Sequence, residues 1–232
     1  LGDFVGPNRS ILLKPDLGPP MDLLEFSSQY SHTEPPLLAN LRKATWQRTR
    51  HGRLMSDVHT GRVLSMVSQM LCPSVILELG TFSGYGTLCL LEGLSKSGRL
   101  HTVERNDELF ELQDEFWSQS TRNGHIQRHH DMAMNVLENW DNLESDTIDL
   151  AYVDADKQGV VEQLNALLPL MSKRGWILFD NTWWNGTLAE ATGPKPDALR
   201  ELNARLQSDP GLITTILPVG DGLSAVRVIP ET

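Results

Sequence analysis

SVILELGTFSGYG, residues 74–86, is the stretch on which the fold turns. Val75, Ile76 and Leu77 form a short apolar run with β-branched residues, which reads as a buried parallel strand rather than a helix. Glu78 breaks the run, Gly80 and Gly84 bracket a tight turn, and a helical pattern of Leu88, Leu90, Leu91 and Leu94 follows. Strand, glycine turn and helix make the first half of a nucleotide-binding βαβ unit. Gly80 admits a ligand close to the backbone, and the helix N-terminus offers unpaired amide N–H groups. Phe82 stands where the dinucleotide fingerprint has its second glycine. There is no P-loop lysine, which argues against a phosphate cradle.

A second strand, Leu100 to Val103, ends at Glu104, which lies 20 residues beyond Gly84. That is the spacing at which an acid after the second strand grips ribose hydroxyls. A nucleoside ligand without a pyrophosphate fits these features, and S-adenosylmethionine is the obvious candidate. The competing reading is an ordinary βα turn with a surface glutamate; Glu104 makes it the weaker one.

The chain has 232 residues, enough for one sizeable core, and a single domain is expected over 1–232, with 1–54 as an N-terminal arm and helices and 55–232 as the ligand-binding core. Hydrophobic residues at 40% and charged residues at 22% are ordinary globular values. The balance of 20 basic against 30 acidic residues gives −10, so the gross footprint of a nucleic-acid binder is missing. Cys72 and Cys89 sit in apolar helical contexts and read as reduced, buried thiols of a cytoplasmic protein. No uncharged apolar run reaches membrane-spanning length. The start at Leu1, without Met or a signal-type apolar region, leaves a trimmed or processed N-terminus open.

Residues 1–20, rich in Gly and Pro, read as an irregular arm. Helices are expected over Asp22–Tyr30, Pro36–Gln47 and Met55–Leu71, with the basic run Arg42, Lys43, Arg48, Arg50 and Arg53 as a solvated face and the loop after it. Asp107 should cap a helix to about Ser120. A short strand near Ile126 ends in His129, His130 and Asp131; neighbours in a strand point to opposite faces, so the two histidines cannot chelate one ion. Then follow a helix Met132–Trp140, a strand Thr147–Val153, a helix Val160–Met171, a strand Trp176–Phe179 and a helix Pro196–Gln207. Leu212–Pro218 and Leu223–Val228 alternate around Gly220, Asp221 and Gly222, a terminal β-hairpin. Strands alternating with helices across 74–180 predict a doubly wound, Rossmann-like, mostly parallel sheet. With the antiparallel hairpin it has seven strands, and extra helices precede it.

In such sheets the ligand site lies outside the carboxyl ends of the strands. Five sequential strands deliver Glu78, Glu104, Asp131, Asp154 and Asp180 to that edge. Asp154, Asp180 and Asn181 give two carboxylates and an amide oxygen on neighbouring strand ends. This hard, all-oxygen set suits Mg²⁺ or Ca²⁺. Lys157, three residues past Asp154, reaches the same point and is placed to take a proton. The alternative is that both aspartates cap helices and Lys157 pairs with Asp156.

These residues resemble the cation-dependent S-adenosylmethionine O-methyltransferases, the group of the catechol and caffeoyl-CoA enzymes and their bacterial relatives. The matching pieces are LELGTFSGYG (77–86), HTVERN (101–106), YVDADK (152–157), FDNTWWNG (179–186) and LPVGDGLSAVRV (217–228), with MSDVHTGRVLSMV (55–67) similar to the helix that closes over the cofactor. The resemblance covers roughly Leu23 to Ile229. It implies Asp154, Asp180 and Asn181 as ligands of Mg²⁺ (or Ca²⁺ or Mn²⁺) and Lys157, with Asp154, as the catalytic pair. The implied cofactor set is Ser56, Glu78, Gly80, Ser83, Gly84, Glu104, Asp131, Ala133 and Asp154, with Glu104 on the ribose and Asp131 and Ala133 by the adenine. Met55, Lys157, Trp184 and Asp221 fall on the acceptor side. Gly86 departs from the pattern, standing where relatives often carry a serine for the cofactor carboxylate, so Ser83 or Ser56 is left for that task. Asp57 and His59 are unusual in their segment, and Asp221 is the one substitute for the catechol enzymes' extra acid. The implied reaction is methyl transfer to a hydroxyl of a small catechol-like or phenolic acceptor, by a homodimer. Two rivals stand beside it: methylation of a hydroxylated uridine in tRNA, and a cofactor-binding protein whose catalysis has lapsed.

Overall fold

The computed structural model describes residues 22–144 and 146–229; the N-terminal arm of residues 1–20 lies outside them. Helix α1 (Leu23–Tyr30) belongs to a compact unit that ends at Thr33. Asp22 caps it, its carboxylate accepting the Glu25 N–H at 2.8 Å. The second unit starts at Glu34 and carries the sheet. Helix α2 (Pro36–Arg48) is part of this unit, with Leu38, Leu41 and Ala44 buried.

The remaining elements alternate as the sequence predicts: α3 (Val58–Leu71), β1 (Val75–Leu79), α4 (Tyr85–Leu91), β2 (Arg99–Glu104), α5 (Phe110–Trp117), β3 (Ile126–His130), α6 (Ala133–Glu138), α7 (Trp140–Leu143), β4 (Ile148–Val153), α8 (Val160–Leu167), β5 (Met171–Phe179), α9 (Pro194–Ser208), β6 (Leu212–Leu217) and β7 (Leu223–Val228). The strands form one sheet in the order β3-β2-β1-β4-β5-β7-β6. The first five are parallel; β7 runs antiparallel to β5 and to β6. The order reverses beside β1, which puts a crevice at the carboxyl ends of β1 and β4.

Alternate residues of the central strands pack on opposite faces. Ile76, Leu150, Tyr152 and Leu178 join α2, α3, α4 and α5 on one side. Leu77, Ala151, Val153, Ile177 and Phe179 join α6, α8 and α9 on the other. With both faces covered, β1 reads as an unbroken buried run.

Several local expectations give way. Glu78 does not break β1: the strand continues to Leu79 and buries the carboxylate inside it. Asn106, not Asp107, caps the segment before α5, accepting the Glu108 N–H at 3.0 Å. Helix α3 starts at Val58, because Asp57 accepts the His59 and Thr60 N–H groups at 2.8 and 3.2 Å. Met55, with extended backbone, and Ser56 therefore lie ahead of it, outside the helix. Cys72 is exposed, a left-handed residue (φ 47°) ending α3, while Cys89 is buried; both are free thiols. The paired histidines are packing groups: His129 Nε2 meets His101 Nδ1 at 2.9 Å, and His130 stands edge-on to Phe110. Among the described residues no helix is long and apolar enough to cross a membrane.

Candidate active site

The turn after β1 is shaped by what stands against it. Gly80 has φ 95°, and a Cβ there would lie 2.4 Å from the Asp154 carbonyl oxygen. Gly84 has φ 81°, and a Cβ there would lie 2.4 Å from Trp117 Nε1. Both positions demand glycine on two counts, conformation and space. Between them Phe82 takes φ 48°, a left-handed conformation unusual for a bulky residue. Glu104 holds it, its carboxylate accepting the Phe82 N–H at 2.8 Å and the Asn106 N–H at 2.9 Å. Spacing from the turn thus does locate this acid at the crevice.

The buried Ser83 hydroxyl at the head of α4 has no hydrogen-bond partner among the described residues. A buried polar atom left this way is costly unless a ligand pairs with it. Met55, Ser56, Glu78, Gly80, Ser83 and Asp154 line a single cavity here, together with Leu54, Phe82, Tyr85, Gly86 and Tyr152. Gly84 caps α4 next to it. Asp131 lies at the end of β3, in a separate cleft of about 390 Å³ with Arg128, His129 and Asn135. Bonds from the Asn135 amide (2.7 Å) and the Met132 N–H (2.7 Å) fix its carboxylate and lower its pKa. Ala133 is half-buried at the start of α6.

Glu78 sits opposite Thr102 of β2 and Tyr152 of β4. It accepts the hydroxyls of Thr102 and Thr87, each at 2.5 Å. Burial, against the two hydroxyl bonds, pushes its carboxyl up to about 8.

The second cluster crosses the ends of β4 and β5. Lys157 is 8% exposed, and its Nζ lies 2.9 Å from Asp154 Oδ1. Asp156 turns elsewhere and pairs with Lys195 at 3.2 Å, so the alternative Lys157–Asp156 pair does not form. Neither aspartate caps a helix. Asp180 is buried and accepts the Tyr152 hydroxyl at 2.5 Å and the Asn181 N–H at 2.8 Å. Burial first, then the charge of Asp154, raises its carboxyl to about 6. Asn181 is left-handed at φ 56°.

The loop beyond carries the tryptophans. Trp184, Asn185 and Gly186 are left-handed in succession, at φ 55°, 51° and 74°. Asp221, in the turn between β6 and β7, holds that bend by accepting the Asn185 N–H at 2.6 Å. Its carboxylate thus serves the loop. Trp184 is half-buried against the core, whereas Trp183 is 60% exposed.

Among the described residues no three or more His, Cys, Asp or Glu side chains are grouped as a metal site. The Asp154, Asp180 and Asn181 set is of another make, two carboxylates and an amide oxygen. Two acids whose charges act on each other, with one lysine between them, suit a hard cation. The unpartnered Ser83 hydroxyl and the glycine turn held by Glu104 suit a nucleoside-bearing ligand. Sequence reasoning missed Tyr152, whose hydroxyl reaches Asp180. It also missed Thr87 and Thr102 under Glu78, and the Tyr85–Glu34 bond at 2.7 Å that ties α4 to the segment leading into α2. The signal was a phenol oxygen at Tyr152, in a strand where Asp149 is the other polar residue.

Sheet order, glycine turn and strand-end acids together define a class I methyltransferase fold. The crystal structure of an O-methyltransferase from Streptomyces achromogenes involved in tomaymycin synthesis, in complex with S-adenosylmethionine, superposes with TM-score 0.79 at 22% identity, covering 89% of this chain and 95% of that one. Residues 26–229 match the O-methyltransferase family model, and the chain belongs to that family. It is 30% identical to a flavonoid 3′,5′-methyltransferase of Vitis vinifera, over 82% of this chain and 86% of that protein. It is 28% identical to a caffeoyl-CoA O-methyltransferase of Petroselinum crispum, over 84% and 85% respectively. The chain is an S-adenosylmethionine-dependent O-methyltransferase.

Proposed function

We propose that the enzyme methylates a hydroxyl of a small catechol-like or phenolic acceptor with help from a divalent cation. The observation that carries this is the junction of β4 and β5, where Lys157 Nζ stands 2.9 Å from Asp154 and the buried Asp180 adds a second carboxylate under Asp154's charge. The similarity to flavonoid and caffeoyl-CoA enzymes supports a phenolic acceptor.

S-adenosylmethionine brings an activated methyl on sulfur, and a divalent cation such as Mg²⁺ lowers the pKa of a hydroxyl bound to it. The chain supplies the rest. Glu104 accepts from the ribose hydroxyls, Gly80 and Gly84 let the ligand approach the backbone, and the free Ser83 hydroxyl donates to the carboxylate end. Asp131 and Ala133 stand on the adenine side. Asp154, Asp180 and Asn181 hold the cation. Lys157, whose neutral form a neighbouring cation would favour, takes the acceptor's hydroxyl proton as the oxygen attacks the methyl and the methyl–sulfur bond breaks, which is general-base work. Met55 and Trp184 give the planar acceptor apolar walls, and Asp221 keeps Trp184 in place through the Asn185 N–H. Fixing acceptor and methyl in line accounts for much of the rate.

The test is methylation of a catechol with labelled cofactor, with Mg²⁺, with excess chelator, and after Mg²⁺ is returned. Chelator should abolish turnover and Mg²⁺ should restore it, and Asp154→Asn should lose most of the rate while staying folded. Full turnover in excess chelator would sink the metal-assisted reading.

A further inference from the structure

The mechanism leaves the fully buried Tyr152 hydroxyl without a task. Tyr152 lies in β4, two residues before Asp154, and is 1% exposed. Its hydroxyl is 2.5 Å from Asp180 Oδ2 and 3.0 Å from Ser56 Oγ. An ionised carboxylate only accepts, so Tyr152 donates to Asp180 and its oxygen is left to accept the Ser56 hydroxyl hydrogen. The result is a directed chain from Ser56 to Tyr152 to Asp180, in which each bond polarises the next. It links the segment before α3 to the end of β5. The other Asp180 oxygen takes the Asn181 N–H at 2.8 Å, so both oxygens are oriented and each keeps a lone pair.

The neighbouring sequence makes room for this ring. A Cβ on Gly86 would stand 3.3 Å from Tyr152 Cε1 and 2.7 Å from Glu78 Oε1. A serine there would crowd both, so Gly86 and Tyr152 fit as a pair. Packing alone would be met by phenylalanine, which fills the same space with no hydroxyl to satisfy. The Ser56 hydrogen is also spent on Tyr152, which leaves Ser83 as the hydroxyl with a proton to offer a carboxylate.

We infer that Tyr152 is a positioning residue for methyl transfer: its hydroxyl fixes the Asp180 carboxylate and ties it to the Met55–Ser56 segment. The inference rests on the reading that Asp180 holds the cation. Groups that orient a metal ligand in this way cost about 10- to 100-fold in metal affinity or activity when removed.

Tyr152→Phe keeps the ring and removes the donor. Mn²⁺ binding is followed by electron paramagnetic resonance, S-adenosylmethionine binding by calorimetry, and kcat and KM with a catechol. The proteins are wild type, Tyr152→Phe, Ser56→Ala and Asp180→Ala. For Tyr152→Phe, Mn²⁺ affinity and kcat should fall by about 10- to 100-fold with S-adenosylmethionine affinity nearly unchanged. Ser56→Ala should move the same two quantities the same way, by less. If Asp180→Ala binds Mn²⁺ like wild type, the metal reading fails and takes this inference with it. If Asp180→Ala loses Mn²⁺ while Tyr152→Phe keeps wild-type affinity and kcat, Tyr152 is packing and the inference alone falls. Loss of S-adenosylmethionine binding in step with Mn²⁺ also refutes it, because the residue would then be supporting the fold at large. Should Tyr152→Phe not fold, Ser56→Ala decides, since wild-type Mn²⁺ affinity and kcat there break the chain.

Discussion

Replacing Glu104 should damage the fold and the ligand site by separable amounts. The carboxylate holds two backbone N–H groups, Phe82 at 2.8 Å and Asn106 at 2.9 Å. A hydrogen bond to a charged group contributes about 1.5–3 kcal/mol, so the low end taken twice is about 3 kcal/mol. At about 2–4 °C per kcal/mol for a domain of this size, Glu104→Ala should melt roughly 6–12 °C lower. The first of these bonds restrains the left-handed Phe82, which relaxes once freed. The ligand loses at least one bond of the same kind, and with about 1.4 kcal/mol per factor of ten its affinity should fall about ten- to a hundredfold. Glu104→Gln keeps one acceptor oxygen and the side chain's shape. It should therefore regain much of the melting temperature but little of the affinity. Calorimetric titration with S-adenosylmethionine, beside a thermal scan of the free protein, reads both quantities. Lys157→Met serves as the contrast, with near wild-type binding and a much lower chemical rate. Wild-type affinity in Glu104→Ala, or equal binding losses in Glu104→Ala and Lys157→Met, would refute the assignment of roles.

Trp184→Ala should raise KM for a catechol acceptor more than it lowers kcat, since it removes a half-buried apolar wall; an unchanged KM in steady-state kinetics would remove Trp184 from the acceptor side. Glu78 should make the protein's stability pH-dependent. Burial raises its carboxyl from 4.5 to about 8, so the folded chain keeps a proton that the unfolded chain gives up, and stability falls as pH rises across that window. Glu78→Gln should flatten this slope in urea unfolding at pH 5 and pH 8, and an unaltered slope would mean that the charge is solvated after all. Reversing Arg48 and Arg50 to Glu should leave catechol turnover unchanged at both about 50 and 200 mM salt, whereas tRNA methylation that collapses on reversal, with no catechol turned over, would change the substrate class and leave the methyl transfer intact.

Much of the site was legible because topology does the placing. Once Val75–Leu77 reads as a buried strand before a glycine turn, every later parallel strand must end at the same edge, and Glu104, Asp154, Asp180 and Asn181 follow from position alone. What escaped was the third dimension. Periodicity cannot show that Glu78 is a strand residue, because an acid in an apolar run looks like a terminus. Only register, which sets Thr102 beside it and brings Thr87 over it, makes the burial tolerable. Nor could it show that Ser56 and Asp180 meet through Tyr152, residues separated by 96 and 28 positions along the chain. The basic run does lie on a solvated face, with Lys43, Arg48, Arg50 and Arg53 exposed, and Arg48 and Arg42 pair there with Glu115 and Glu34. Those pairs leave fewer free cations for a phosphate backbone than the bare count implies, which weighs against the tRNA alternative.

The site is built against its own stability. Glu78 is held under conditions that favour its protonated form, Asp180 is raised by burial and by Asp154, and Lys157 is paired with Asp154. Phe82, Asn181, Trp184 and Asn185 all take left-handed backbone around the same edge, at a cost of order 1–3 kcal/mol each. An arrangement kept only for folding would replace these acids with apolar residues and these turns with glycine, and be more stable for it. A positively charged guest reverses the balance, because every carboxylate that opposes folding then attracts the ligand. Both guests of the proposed reaction, a sulfonium and a divalent metal, are cations. On this view the acids that destabilise the free enzyme are the same ones that bind, and saturating S-adenosylmethionine with Mg²⁺ should raise the melting temperature more than either alone. Thermal scans with neither, each and both ligands would show it; two ligands that stabilise no more together than the better one alone would mean that they do not share this cluster.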